Sequence, residues 1–211
     1  MIKTLPVTGI FTVNSYFLID SKTNHGFLID PGAEANKLLN YIKVNNLIIE
    51  KILITHGHFD HIGAVKEISE ALNIPVYIHK QGKKYIQNPI WNLSASRGEN
   101  ITIEATNYIE NNDLIKLEAN PNIVLRAIHV AGHTLDGMVF YSENEKAAFV
   151  GDNIFFGKIG RSDFYGGDLV TLFTDVKNKI LTLAEDTVLY LGHGEPTTVR
   201  NVKNTNSYFC E

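Results

Sequence analysis

The chain has 211 residues, 44% of them hydrophobic and 20% charged, so it can bury a sizeable core and is expected to form one globular domain over residues 1–211. Its 19 basic and 23 acidic side chains leave a net charge of −4, which argues against general nucleic-acid binding and against a polybasic membrane anchor. The one cysteine, Cys210, excludes an intrachain disulfide, a cysteine zinc site and a CxxC redox pair, so any metal must be held by carboxylates and the eight histidines.

No apolar run approaches the roughly 20 residues that span a bilayer. The N-terminal stretch, broken by Pro6, Gly9, Thr12 and Asn14, lacks a signal-peptide core, so a soluble cytoplasmic protein is expected. Apolar runs at 14–20 and 26–30 flank the polar 21–25 and predict a β-hairpin, and Asp30-Pro31-Gly32 predicts a turn. Leu38, Leu39, Ile42 and Leu47 predict a helix over about 34–46. A buried strand follows at Ile52–Ile54. Ile62, Val65, Ile68 and Leu72 then predict an amphipathic helix, and Val76–Ile78 another strand. Residues 80–120 carry no clear period and read as irregular or partly helical. They would roof a pocket, with Tyr85, Trp91 and Arg97 as lining residues or, for the two aromatics, as ordinary packing. Strands are expected at 123–130, 137–141, 147–150 and 188–191. A helix is expected over about 168–183, with Leu169, Leu172, Phe173, Val176 and Ile180 on one face, and a short polar one over 198–205. There is no internal repeat, low-complexity tract or linker. Many short strands with unsteady helix alternation point to an α/β (α+β) fold of two sheets with helices outside, rather than one parallel sheet.

The segment Thr55-His56-Gly57-His58-Phe59-Asp60-His61 joins a buried strand to a helix. It packs three imidazoles and a carboxylate into six residues, a dense set of nitrogen and oxygen ligands. His56 and His58, two apart on extended backbone, point to one side, and Asp60 and His61 reach in from the helix start. Such donors converge at a cost unless a cation is shared. The plainer reading, Asp60 as a helix N-cap beside surface histidines, leaves this density unexplained. The same grammar of strand, glycine and ligand-type side chain recurs at Gly132-His133-Thr134, Gly151-Asp152 and Gly192-His193-Gly194. Each alone is weak. Together they put five histidines and two carboxylates at strand ends, where a rigid sheet edge carries reactive groups. His25, His79 and His129 lack that context and are read as structural.

These residues resemble the metallo-β-lactamase superfamily, whose signature H-x-H-x-D-H, Gly-His, Gly-Asp and Gly-His stands here as His56/His58/Asp60/His61, His133, Asp152 and His193. The likeness runs from about residue 14 to about 209. It implies an αββα sandwich of two mixed sheets flanked by helices, with a metal site at one sheet edge. It also implies that His56, His58 and His133 hold one cation, that Asp60, His61 and His193 hold a second, and that Asp152 bridges them. The expected metals are two Zn2+ per chain, with Fe or Mn as alternatives, sharing a hydroxide as nucleophile.

Within the superfamily, Gly160-Arg161-Ser162-Asp163-Phe164, the run Gly192–Thr198 and Asn206-Ser207-Tyr208-Phe209 look like the small glyoxalase-II-like branch. Glu195, Arg200 and Ser207 depart from its pattern, all outside the ligand set. Eighteen residues follow His193, too few for the helical domain with which longer glyoxalase II enzymes grip glutathione, so glutathione as carrier is implied by family alone. The resemblance implies a small-molecule thioester substrate such as S-lactoylglutathione. Its thiol leaves as thiolate with little acid help, because its pKa is near ~8.5. Asp60 is then expected to position the nucleophile or take its proton, and Thr134 to orient a ligand or bound water. Arg161 would bind a substrate carboxylate or, equally, pair with Asp163. The chief rival is a persulfide dioxygenase with one iron. A metal-dependent nuclease and a noncatalytic binding module are weaker rivals, and β-lactam hydrolysis is not expected, since fold does not fix substrate.

Overall fold

The computed structural model describes residues 1–210. Sheet A contains β1 (Ile2–Thr8), β2 (Thr12–Ile19), β3 (His25–Ile29), β4 (Ile48–Leu53), β5 (Val76–His79) and β6 (Asn107–Ile109), in that spatial order. Sheet B contains β7 (Leu114–Lys116), β8 (Val124–His129), β9 (Met138–Ser142), β10 (Ala147–Gly151), β13 (Val188–Leu191) and β14 (Thr197–Thr198), ordered β14-β13-β10-β9-β8-β7. A small hairpin, β11 (Ile154–Phe155) and β12 (Lys158–Ile159), lies between β10 and β13 in sequence. Both large sheets are mixed: β3, β4, β5 and β6 are parallel neighbours in A, as are β10 and β13 in B.

The period-two alternation of the strands builds the layers. In β2 and β3, Tyr16, Leu18, Phe27 and Ile29 face sheet B and meet Leu125, Ala127, Met138, Phe140 and Phe149 in a core between the sheets. Phe17, Ile19 and Leu28 face the other way, onto α1 (Ala35–Val44) and α3 (Val65–Leu72) through Leu38, Ile42, Val65 and Ile68. The outer face of sheet B is covered by α5 (Leu169–Asp175) and α6 (Val199–Thr205) through Leu172, Val176, Val199 and Val202. The result is the αββα sandwich of two mixed sheets. Among the described residues no helix is long and apolar enough to cross a membrane.

Several expectations are refined. The helix expected from 62 to 72 is two, α2 (Phe59–Ile62) and α3, because Gly63 packs against the 31–32 turn: a Cβ there would lie 2.3 Å from the Gly32 carbonyl, and Ala64 N–H bonds the Pro31 carbonyl at 3.0 Å. The helix expected over 168–183 starts at the Asp168 cap, whose side chain accepts Thr171 N–H, and changes from α to a π-helical turn at Val176–Ile180. The stretch 80–120 holds α4 (Lys83–Ile86), 3₁₀ turns and the edge strands β6 and β7. Strand β1, hidden by Pro6 and Gly9, is an edge strand, the place where a sheet tolerates proline.

Candidate metal centre

In sheet B, β8, β10 and β13 run in one direction, each paired antiparallel or parallel with its neighbour to that effect. His133, Asp152 and His193 follow their C-terminal ends, and meet His56, His58, Asp60 and His61 beyond the end of β4. His58 caps α2, whose first turn carries Asp60 and His61. All seven side chains predicted from the sequence are therefore brought together. His133 Nε2 lies 3.3 Å from His56 Nε2 and 3.1 Å from His58 Nδ1. Asp152 Oδ1 is 3.4 Å from His61 Nε2, and its Oδ2 is 3.5 Å from His193 Nε2 and 3.9 Å from His133 Nε2. Asp60 Oδ2 is 3.3 Å from His193 Nε2.

The outward hydrogen bonds decide which ring nitrogens face inward. His61 Nδ1 bonds Asp30 Oδ2 at 2.9 Å. His133 Nδ1 bonds the Arg161 carbonyl and His193 Nδ1 the Thr12 carbonyl, both at 2.6 Å. The Thr55 hydroxyl donates to Asp30 Oδ2 at 2.6 Å, which leaves its oxygen to accept from His56 Nδ1 at 3.2 Å. With the Nδ1 atoms turned outward, the Nε2 atoms of His56, His61, His133 and His193 point at one another and at two carboxylates. His61 Nε2 and Asp152 Oδ1 are buried without a hydrogen-bond partner. A convergence of imidazole nitrogens and carboxylate oxygens, some buried with no hydrogen-bond partner among the described residues, fits a shared cation, and the all-nitrogen-and-oxygen donor set suits Zn, Fe or Mn.

The electrostatics divide the cluster. Burial, then the neighbouring imidazoles, holds His56 and His58 well below the ordinary imidazole range, and burial lowers His133. Burial opposes charge on His61 and His193 too, but Asp30 and Asp152 outweigh it at His61, which is raised well above its ordinary value. Asp152 and Asp60 do so at His193, which is raised to about 10. Burial likewise opposes the anions at Asp152 and Asp60, and the facing histidines nonetheless hold both carboxyls below their usual range. One half is thus a neutral imidazole trio, and the other is an anionic half that draws positive charge.

The sequence profile of the metallo-beta-lactamase superfamily matches residues 8–193. The chain belongs to the metallo-beta-lactamase superfamily. It is 35% identical to the probable metallo-hydrolase YqgX of Bacillus subtilis, covering 98% of this chain and 96% of that one. It is 30% identical to the hydroxyacylglutathione hydrolase GloC of Haemophilus influenzae, over 98% and 97%. The crystal structure of BLEG-1, a B3 metallo-beta-lactamase, superposes with a TM-score of 0.94 at 32% identity, over all of both chains.

In this metallo-beta-lactamase domain the site floors a cavity of about 430 Å3 walled by Phe11, Phe59, Leu93, Phe155 and Phe164. Arg97 and Arg161 also line it. Arg161 forks onto Asp163 at 2.9 and 2.7 Å and lies 4.4 Å over Phe164, the local ion pair that was one of its two sequence readings. Arg97 stacks 5.1 Å over Phe11 and has no carboxylate partner among the described residues. Thr134 is buried and its hydroxyl makes no hydrogen bond to a ligand side chain. Tyr85 and Trp91 pack edge to face at 5.3 Å behind the cavity wall, and neither lines it. His79 and His129 stack at 4.0 Å away from the site, and His25 bonds Glu50 at 2.8 Å. Sequence reasoning missed Asp30, read only as part of a turn. It follows β3 as the clustered side chains follow their strands, and that position was the available signal.

Proposed function

We propose that this metallo-hydrolase cleaves thioesters, with 2-hydroxyacyl thioesters such as S-lactoylglutathione as substrates. The full-length likeness to GloC, a hydroxyacylglutathione hydrolase, carries the substrate class. On this reading His56, His58 and His133 hold one cation, Asp60, His61 and His193 the other, and Asp152, whose two oxygens reach toward both groups, lies between them. Bound there, such cations would supply a Lewis acid and a water ionised at neutral pH.

The chain supplies the rest. The Phe11, Phe59, Phe155 and Phe164 wall holds the apolar part of the thioester and sheds water from it. Arg97, with no carboxylate partner among the described residues, meets an anionic end of the substrate, and Arg161 takes a second only by releasing Asp163. Asp60, held ionised by the facing histidines, positions the nucleophile beside His193 Nε2. No side chain need protonate a thiolate leaving group. The partner is then a small molecule met in the cytoplasm, with Zn2+ as the expected metal.

A second reading, β-lactam hydrolysis, is favoured by the close superposition on BLEG-1. One panel separates them: S-lactoylglutathione with the released thiol trapped by a chromogenic disulfide, a chromogenic cephalosporin, and glutathione persulfide in an oxygen electrode. The thioester is expected to turn over fastest. Faster cephalosporin cleavage, or oxygen uptake with an inert thioester, would replace the proposal.

A further inference from the structure

The loop bearing His133 and the strand end bearing His56 and His58 belong to different sheets, and a buried carboxylate joins them. Asp136 lies in the turn between His133 and β9, with none of its surface exposed. Its Oδ2 accepts the Gly57 N–H at 2.9 Å, 79 residues away in the chain. On the other side of His56, the Thr55 carbonyl accepts the Met138 N–H at 2.7 Å. The two bonds clamp the backbone on both flanks of His56 onto the 136–138 segment. The cage around the carboxylate is tight: a Cβ on Gly82 would come within 3.0 Å of Oδ2, and one on Gly57 within 3.3 Å of Oδ2 and 2.5 Å of Tyr85 Cβ. The turn itself is fixed by Leu135 N–H bonding the Tyr85 hydroxyl at 2.9 Å and by His129 Nε2 on the Leu135 carbonyl at 2.9 Å. A buried carboxylate is unfavourable unless its contacts compensate, and nothing in the hydrolytic chemistry uses this one.

We propose that Asp136 is a positioning residue of the metal centre: its Oδ2 fixes the peptide between His56 and His58 and so sets where their imidazoles stand relative to His133. This rests on the reading of those three histidines as ligands of one cation. An oxygen acceptor at that point is the essential feature, so an amide should substitute and a methyl group should not.

The test is titration of Co2+ and Zn2+ into metal-free protein against a chromophoric chelator, with the Co2+ absorption spectrum as a site-resolved signal. Wild type is expected to take two cations. Asp136→Asn should hold both within about threefold of wild-type affinity, and Asp136→Ala should keep one and bind the other about 10- to 100-fold more weakly. Wild-type binding by Asp136→Ala, equal weakening of both cations, or an Asp136→Asn as defective as the alanine would each overturn the assignment. If the alanine variant does not fold, Asp136→Ser, too short to reach Gly57, takes its place. Failure of both beside a sound asparagine variant would show a residue that holds the fold instead of the site, and would also overturn it. A wild type that binds no cation would remove the metal reading itself, an outcome seen without any substitution.

Discussion

Asp30 accepts hydrogen bonds from three buried donors: Thr55 N–H at 2.8 Å on Oδ1, and the Thr55 hydroxyl at 2.6 Å and His61 Nδ1 at 2.9 Å on Oδ2. Each buried donor left unpaired costs about 1–3 kcal/mol, so Asp30→Ala should destabilise the metal-free protein by about 3–6 kcal/mol after some water entry. That is a large share of the 5–15 kcal/mol typical of a domain, roughly enough to threaten folding. Asp30→Asn is the gentler probe. Its oxygen can keep the hydroxyl and His61 while its amide faces the Thr55 N–H, leaving one mismatch of about 1–3 kcal/mol. Both changes release His61 from its carboxylate and should weaken metal binding by about 10- to 100-fold. Urea unfolding of the metal-free variants gives the first quantity and chelator competition the second. An alanine variant within about 1 kcal/mol of wild type, holding metal equally well, would refute the assignment of Asp30 as the anchor of His61.

Gly192→Ala would put a Cβ 2.0 Å from Asp152 Oδ1 and 2.9 Å from His61 Cε1. Elemental analysis should show lost metal and assays lost activity, while thermal unfolding of the metal-free form shifts little; full metal content would contradict the packing argument. Arg97→Ala should raise KM for S-lactoylglutathione about tenfold with kcat nearly unchanged, and leave the thioester of a neutral thiol untouched; identical effects on both substrates would remove Arg97 from substrate binding. Burial, then the adjacent His129 and Lys80, holds the His79 imidazole down at about 4. Its folded pKa lies below the unfolded value, so its stabilising contribution is complete above about pH 6.5 and is lost as pH falls toward 4, by about 1–3 kcal/mol. His79→Phe should flatten that limb of the stability-against-pH curve, and an unchanged slope would assign the acid sensitivity elsewhere.

The gathering of the seven histidine and aspartate side chains was readable because each follows a short apolar strand and a turn, a local pattern that survives in one dimension. The sandwich was readable from many short strands with unsteady helix alternation, and the continuous apolar runs of β2 and β3 are those of strands buried on both faces. What stayed hidden depends on contacts far apart in sequence. Asp136 meets Gly57 across 79 residues, and nothing beside it in the chain announces that bond. Asp30 sits in an Asp-Pro-Gly run that a turn explains completely. The strands β6 and β7 have three residues each, too few for a period of two to show, and exist because β5 and β8 accept them at the sheet edges. The break at Gly63 answers to the Gly32 carbonyl, again a tertiary contact within an otherwise continuous helical pattern.

The central claim is that the gathered histidines and aspartates work by holding metal. Stripping the protein with a chelator and returning metal in measured equivalents, while following hydrolysis of S-lactoylglutathione, tests it most directly. Activity should vanish on stripping and climb with added metal to a plateau at two equivalents per chain; undiminished hydrolysis by the metal-free protein would contradict it.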